Sequence, residues 1–435
     1  MLELSNKFYL KVRNFRWFVK EYYTIAHTVF FRLVVFFYGK CHKEPDEEVY
    51  VGFSSEWFGG NIKALLFAFL KENKKKHIIK NKKIHIYFTS SDKEQVNISR
   101  QEGIEAYWWH DLGALSVFSK TKLFISSHGE RLLPATRREK FSDFLKDVTG
   151  EAIQKFHADK PIHVNGNFTV KRMELFHGIP FKDVDIDKIP IPPDIFCVTS
   201  EFMKKCYLKK GYHPEIFRIT GYPRDDVLFS GVDKGKLLSK LGIPDNKKIV
   251  LYTPTWGHLT SKGLFPWDDW KKTLLSLDKF AKTDDNVYFI VRTHKCWRNR
   301  EIDEIKKIVS NCSNIGWVPM EKYPDTYSLL AITDVLITDW SSIAFDFMLK
   351  KKPIIFVDCE NPYKKFYFTP EERAGAIVKN LNELINAVSD SLEDHSKFIK
   401  KYAPNFDIVL DKAFTYKDGK ASERCLKELK KLLNN

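Results

Sequence analysis

The sequence is short of the features that mark several protein classes. No run of 18 or more apolar residues occurs in its 435 positions, so a membrane-spanning helix is not expected. The longest apolar stretch, 29–38, is ten residues and contains Arg32. The seven cysteines are odd in number, scattered, and form no CxxC pair, which argues against a disulfide framework and against a zinc site. GxGxxG, Walker A and HExxH patterns are absent, so dinucleotide, P-loop and zincin chemistry are unmarked. The first twenty residues lack a signal peptide's apolar core and small-residue cleavage site. With the cysteine pattern, this points to a reducing, cytoplasmic compartment. Neither an internal repeat nor a low-complexity segment is visible.

Acidic residues are outnumbered, 56 against 71 Lys and Arg, giving a net charge of +15. Such an excess suits an anionic partner: a phosphate-rich substrate, acidic lipid or nucleic acid. Nucleic acid is disfavoured because the aromatics are not interleaved with basic residues in a recognisable module. Hydrophobic residues at 43% and a mean hydropathy of -0.34 are globular values. The length allows two or three domains with cores of their own.

Residues 1–45 stand apart. Phe8, Val12, Phe15, Val19, Tyr22, Ala26, Val29 and Leu33 recur at steps of three and four, which places them on one helical stripe. Positions 1–43 carry eight Lys or Arg against Glu3 and Glu21, a net +6. An aromatic stripe with basic flanks fits a helix lying in an anionic membrane surface. It also fits a helix docked on its own domain or on a second copy.

Beyond the linker at 43–48, short apolar runs alternate with helical stretches. Strands are expected at 49–53, 84–88, 122–126, 196–199 and 217–220, with helices at 61–73 and 201–210. A second series places strands at 248–252, 287–292, 335–338 and 353–357, with a helix at 342–350. That alternation implies parallel sheets covered on both faces. The turn-rich stretch 230–246 is the natural boundary. The expected organisation is α/β: a first Rossmann-like domain at 46–232, a second at 233–400, and C-terminal helices at 401–435 that cross back to the first.

Three strand ends carry suitable chemistry. Thr338-Asp339-Trp340-Ser341-Ser342 closes a buried strand and opens a helix, where backbone N–H groups and hydroxyls can hold an anion. Asp346, one turn on, could accept from a ribose, although Ser and Asp at such a place also serve as plain caps. In His177-Gly178-Ile179-Pro180-Phe181-Lys182, Gly and Pro set a tight turn, so the imidazole could take a proton from an attacking hydroxyl near neutral pH. Lys182 could hold a phosphate. Arg292-Thr293-His294-Lys295 follows a strand directly, where parallel sheets place ligands; its bland reading is a basic loop. Thr253 and Thr255 within 252–256, Arg224 within 221–226, and Gly60 and Asn61 at the first helix start are weaker signals, as compatible with turn chemistry. Ser126-Ser127-His128 lacks the third member of a hydrolase triad. No metal-ligand cluster and no cofactor is indicated.

Together these pieces resemble the CDP-glycerol:poly(glycerophosphate) glycerophosphotransferases, the teichoic acid polymerases and primases. The resemblance rests on HGIPFK at 177–182, GYPRDD at 221–226, LYTPTWG at 251–257 and RTH at 292–294. It rests further on TDVLITDWSSIAFDF from 333 and DGKASER at 418–424. It covers roughly 165–430 in order, and 49–130 more weakly. It implies a GT-B fold with the nucleotide on the C-terminal domain, and it favours the membrane placement of the N-terminal segment. By resemblance His177 matches the catalytic base. Arg292 and His294 hold the donor diphosphate, with His294 counted among the catalytic residues. Ser341 and Ser342 match the diphosphate-binding helix start, with Lys182 beside them. Asp346, with Thr253 and Thr255, falls on the ribose and base side, and Gly60, Asn61 and Arg224 on the acceptor side.

The chain departs from the family pattern at Phe176, Ile179, Gly257, Trp340 and Ala374-Gly375. These are expected to touch the cleft and bear on which polyol is used. The implied activity is transfer of a polyol phosphate, glycerol phosphate first, from a CDP-activated donor to a hydroxyl of a phosphate-rich or lipid-linked glycan acceptor. CMP is released, on the inner face of the cell membrane. The rivals are a GT-B glycosyltransferase or hexose-phosphate transferase using a nucleotide sugar, and a non-catalytic nucleotide-binding assembly protein.

Overall fold

The structure of the chain, a computed structural model, describes residues 34–35, 38, 48–75, 82–109, 111–127, 170–181, 183, 193–255, 264–267, 269–283, 286–293, 299–320, 323–359 and 365–434. Two parallel sheets organise them. The first has seven strands: β1 (Glu48–Ser54), β2 (Lys83–Ser90), β3 (Ala106–Trp108), β4 (Thr121–Ser126), β5 (Lys171–Glu174), β6 (Ile195–Val198) and β7 (Phe217–Ile219). Their order is β3-β2-β1-β4-β5-β6-β7. The second has β8 (Lys248–Thr253), β9 (Val287–Val291), β10 (Ile315–Trp317), β11 (Val335–Thr338), β12 (Ile354–Val357) and β13 (Ala376–Val378), in the order β10-β9-β8-β11-β12-β13.

In both sheets the order reverses beside the first strand, so each has a switch point at the carboxyl ends of two neighbours. These are Ser54 with Ser126, and Thr253 with Thr338. Such switch points are where open α/β sheets leave a crevice for ligands. β11 (VLIT) and β12 (IIFV) are buried along their whole length, the continuous apolar pattern of strands covered on both faces.

Sequence and structure differ in several places. β3, β10 and β13 are three-residue strands, too short for an alternation to register. β5 (KRME) reads as polar because Lys171 and Arg172 open it, yet it lies in mid-sheet between β4 and β6. Within the stretch read as turn-rich, Lys234–Leu241 is a helix, capped by Asp233 and closed by left-handed Gly242. The stripe at 8–33 lies outside the described residues. Of that segment Val34, Val35 and Tyr38 are described and helical, and Val35 is fully buried in a cluster with Tyr50, Tyr87, Phe118 and Phe124. No helix among the described residues is long and apolar enough to cross a membrane.

The C-terminal helices tie the sheets together. Phe406–Ala413 packs on Glu201–Leu208 and on Ile343–Met348. The last helix, Ala421–Asn434, returns to the first sheet and buries Cys425, Leu426, Leu429 and Leu433 with Val49, Val51, Leu123 and Cys197. Asp226 fixes its start by accepting from the N–H groups of Ala421 and Ser422, both at 2.8 Å. Arg424 donates to the Thr220 carbonyl (2.8 Å) and pairs with Asp418. The DGKASER element is therefore the lock that holds this helix onto the GYPRDD turn.

Candidate functional site

The carboxyl ends of both sheets border a cleft of about 360 Å³. From the first sheet it is lined by Glu56 to Asn61 after β1, Asp92, Glu94 and Gln95 after β2, Phe176 and His177 after β5, and Arg224 after β7. From the second come Met320, Pro324, Thr326 and Tyr327. His177 is exposed to it and its ring centroid lies 4.4 Å from that of Phe176.

The backbone beside His177 is held from many sides. Phe176 has φ +55°, a left-handed conformation that costs energy for a bulky residue. It persists because its neighbours fix it. The Phe176 N–H donates to Glu174 Oε1 (2.7 Å) and its carbonyl accepts from Asn61 Nδ2 (2.8 Å). The other oxygen of buried Glu174 accepts from Ser126 Oγ (2.5 Å). Arg224 Nη1 donates to the His177 carbonyl (2.5 Å), and the Tyr222 hydroxyl to that of Gly178 (3.3 Å).

The turn then enters the core of the second sheet. Phe181 packs on Phe345 (4.4 Å between centroids), Trp340 (5.8 Å) and Phe356 (6.3 Å). Gly178 is glycine for space: a Cβ there would meet Ser342 Oγ at 2.8 Å and Ser342 Cβ at 3.2 Å. The His177 turn and the Ser341-Ser342 turn are thus in van der Waals contact.

Arg224 is the hub. It is 7% exposed, and its Nη2 donates to Asp346 Oδ2 (2.7 Å), which also accepts from the Tyr327 hydroxyl (2.5 Å). Its guanidinium lies 5.0 Å from the Tyr222 ring and 4.8 Å from the Tyr327 ring. Burial, the largest single influence, would favour discharge, but Asp346 together with Tyr327, Asp225 and Tyr222 outweighs it and holds the guanidinium's pKa above its ordinary value. One cation thus faces two buried carboxyls. Asp225, 4% exposed, has no hydrogen-bond partner on either oxygen. Burial, then the charge of Asp346, pushes its pKa well up, so Asp225 is the carboxyl that keeps the proton.

At the second switch point, Asp339 accepts from the Thr255 N–H (3.0 Å) and Thr255 Oγ1 (2.8 Å), and Thr338 Oγ1 donates to the Thr253 carbonyl (2.8 Å). Burial raises Asp339 to about 6, against the pull of the Thr255 bonds. Ser341 and Ser342 are half-buried here. The helix after them, Ile343–Met348, is shorter than the sequence suggested, and Ser342 makes no capping bond.

Of the residues singled out by sequence, Gly60, Asn61, His177 and Arg224 line the cleft, and Ser342 abuts the His177 turn. Arg292 is buried and braces residues either side of 321–322, donating to the carbonyls of Val318 (3.2 Å) and Tyr323 (2.8 Å) and to Thr326 Oγ1 (2.8 Å). Asp346 is wholly buried and turned to Arg224 and Tyr327. His294 and Lys182 lie outside the described residues. The expectation that the departures touch the cleft needs correction for two of them. Ile179 is 0% exposed and Trp340 5%, both in the core, where Trp340 stacks under Arg373 at 4.4 Å. Gly375 keeps its glycine because a Cβ would lie 2.2 Å from the Ile354 carbonyl oxygen. Glu56, Trp57, Asp92 and Glu94 were passed over, although their places just past the ends of β1 and β2 were a usable signal.

A family model for CDP-glycerol:poly(glycerophosphate) glycerophosphotransferase matches residues 34–431. The teichoic acid poly(glycerol phosphate) polymerase of Bacillus spizizenii is 28% identical over 59% of this chain and 69% of its own length. That of Bacillus subtilis is 27% identical over 58% of this chain but only 36% of its own length. The teichoic acid ribitol-phosphate polymerase TarK of Staphylococcus aureus is 29% identical over 48% of this chain and 40% of its own. The chain thus spans well under half of some relatives it matches. A solved structure of the wall teichoic acid polymerase TagF superposes with a TM-score of 0.63 at 18% identity, over 97% of this chain and 98% of that one. That likeness is one of fold.

Proposed function

The chain belongs to the CDP-glycerol:poly(glycerophosphate) glycerophosphotransferase family, and we propose on that premise that it transfers a polyol phosphate from a CDP-activated donor to an acceptor hydroxyl, releasing CMP, in synthesis of a teichoic-acid-like polymer. The observation that carries this reading is the contact between the His177 turn and the Ser342 turn beside a two-lobed cleft.

In this reading the donor lies at the second switch point, its diphosphate against Ser341 and Ser342 and its nucleoside toward Thr253 and Thr255. The acceptor oxygen attacks the polyol-linked phosphorus and the bond from that phosphorus to the bridging oxygen breaks. CMP leaves with the bonding electrons. His177 takes the hydroxyl proton, a role worth about 10²- to 10⁴-fold. The remaining work is positioning and charge stabilisation, as in other phosphoryl transfers. Lys182 and His294 would add positive charge at the donor.

The described acceptor side is anionic. Glu56, Asp92 and Glu94 line it beside Trp57 and Phe58, and the guanidinium of Arg224 is engaged with Asp346 and the His177 carbonyl. Carboxylates beside aromatic faces suit an uncharged, hydroxyl-bearing end, so a lipid-linked glycan fits better than a polyphosphate chain. The basic segment at 1–43 would place the enzyme on the inner membrane surface. Loss of residues 1–33 should weaken binding to anionic liposomes, and unchanged binding would remove that placement.

The test of the activity is incubation with CDP-glycerol and CDP-ribitol and a glycan acceptor, following CMP and the phosphorus NMR spectrum. New phosphodiester signals with stoichiometric CMP support the reading. Transfer of a sugar from a nucleotide sugar, without phosphodiester, contradicts it.

A further inference from the structure

We propose that Asn61, Arg224 and Asp346 form a positioning chain through which the second lobe holds the imidazole of His177 in place. This deepens the phosphotransferase reading and rests on His177 being its base. Asn61 accepts from the Arg224 N–H (3.2 Å) and donates to the Phe176 carbonyl (2.8 Å). Arg224 reaches the next carbonyl, that of His177, with one guanidinium nitrogen, and Asp346 of the second lobe with the other. The strained residue and the base are therefore gripped at consecutive peptide groups, and one end of the grip is anchored across the cleft. Tyr327, on the cleft wall, completes the anchor by donating to the same Asp346 oxygen.

A buried ion pair is a poor device for stability, because desolvating both charges offsets their attraction. Its use here is direction. Arginine's planar fork engages two acceptors at once, which a lysine cannot reproduce. With φ at +55°, Phe176 would relax if the grip were released, and the His177 ring would be displaced with it. Asp346 and Arg224 act through His177 and touch no reacting atom; they are positioning residues. This gives Asp346 a task different from contact with a ribose.

The experiment compares Asp346→Asn, Arg224→Lys and the milder Tyr327→Phe with wild type. Three readouts are taken: kcat and KM for the CDP-polyol, Kd for CDP, and the NMR resonances of carbon-labelled His177. For Asp346→Asn and Arg224→Lys, kcat should fall at least about tenfold, toward the ~10²-fold cost of a group displaced by about an ångström. The Kd for CDP should change less than about threefold, and the His177 resonances should shift. Tyr327→Phe should show the same pattern to a smaller degree, and keeps the test valid if the charge variants fold poorly. The double variant should be no slower than the worse single one, because both cut the same chain. An Asp346→Asn enzyme with wild-type kcat and a tenfold weaker Kd for CDP would overturn the proposal and restore the ribose contact. Unshifted His177 resonances in all three variants would overturn it as well. If wild-type protein released no CMP from any CDP-polyol, the activity reading would fail, while the resonances would still decide whether the grip exists.

Discussion

Gly178→Ala puts one methyl group where the two halves of the site touch. The added carbon would lie 2.8 Å from Ser342 Oγ, 3.2 Å from Ser342 Cβ and 3.5 Å from Arg224 Nη2. The first two are closer than ordinary van der Waals contact, so the His177 turn, the Ser342 turn or both must move. Overpacking of this kind costs about 1–3 kcal/mol. At 1.36 kcal/mol per decade of rate, the same energy lost from the transition state lowers kcat/KM by about 5- to 150-fold. Initial rates of CMP formation, with thermal unfolding measured in parallel, divide the cost between catalysis and stability. Adding Ser342→Ala removes the oxygen at 2.8 Å and should recover part of the unfolding temperature, though not the rate if that hydroxyl holds the diphosphate. Wild-type kcat/KM together with an unchanged unfolding temperature in Gly178→Ala would refute the close contact on which the site is built.

Two buried carboxyls, both with raised pKa values, give predictions about pH. Burial lets Asp225 keep its proton in the folded chain well above the ordinary aspartate range. Above that range the unfolded chain ionises first, so stability falls as pH rises toward the folded pKa. Asp225→Asn should remove part of that slope and unfold at an equal or higher temperature at pH 8; strong destabilisation at pH 8 with an unchanged slope would make Asp225 the ion-pair partner instead. Asp339 titrates at about 6 in the folded chain, so its burial costs stability as pH rises from 3.8 to 6, by up to ~3 kcal/mol. As pH falls below 6 its carboxyl gains a proton and holds Thr255 less firmly, so the donor KM should rise between pH 7 and pH 5. Asp339→Asn should flatten that profile, and an identical profile would detach Asp339 from donor binding.

The strands that form the sheet centres were legible because burial on both faces makes continuous apolar runs, as in β11 and β12. The central strand β5 was marked only weakly, by the polar-apolar stretch 171–176 ahead of the His177 turn, because its charged residues find their partners only in the folded chain. Lys171 pairs with Asp194, and Glu174 accepts from Ser126 and the Phe176 N–H. The cleft residues at strand ends, Asn61, His177 and Arg224, carried local signals of turn and polarity. The Arg224–Asp346 pair, 122 residues apart, left none. Asp346 looked like a free acceptor one turn into a helix, and only the folded chain shows which cation it meets. Arg292 likewise looked like a ligand group, and its donors go to the carbonyls of a neighbouring loop.

The central claim is that His177 serves as the base of a phosphoryl transfer at the joint between the lobes. The most direct measurement is CMP release from a saturating CDP-polyol with acceptor by wild type and His177→Ala, beside the Kd of each for CDP. The account predicts a rate loss of about 10²-fold or more with the Kd essentially unchanged; equal rates for the two proteins would contradict it.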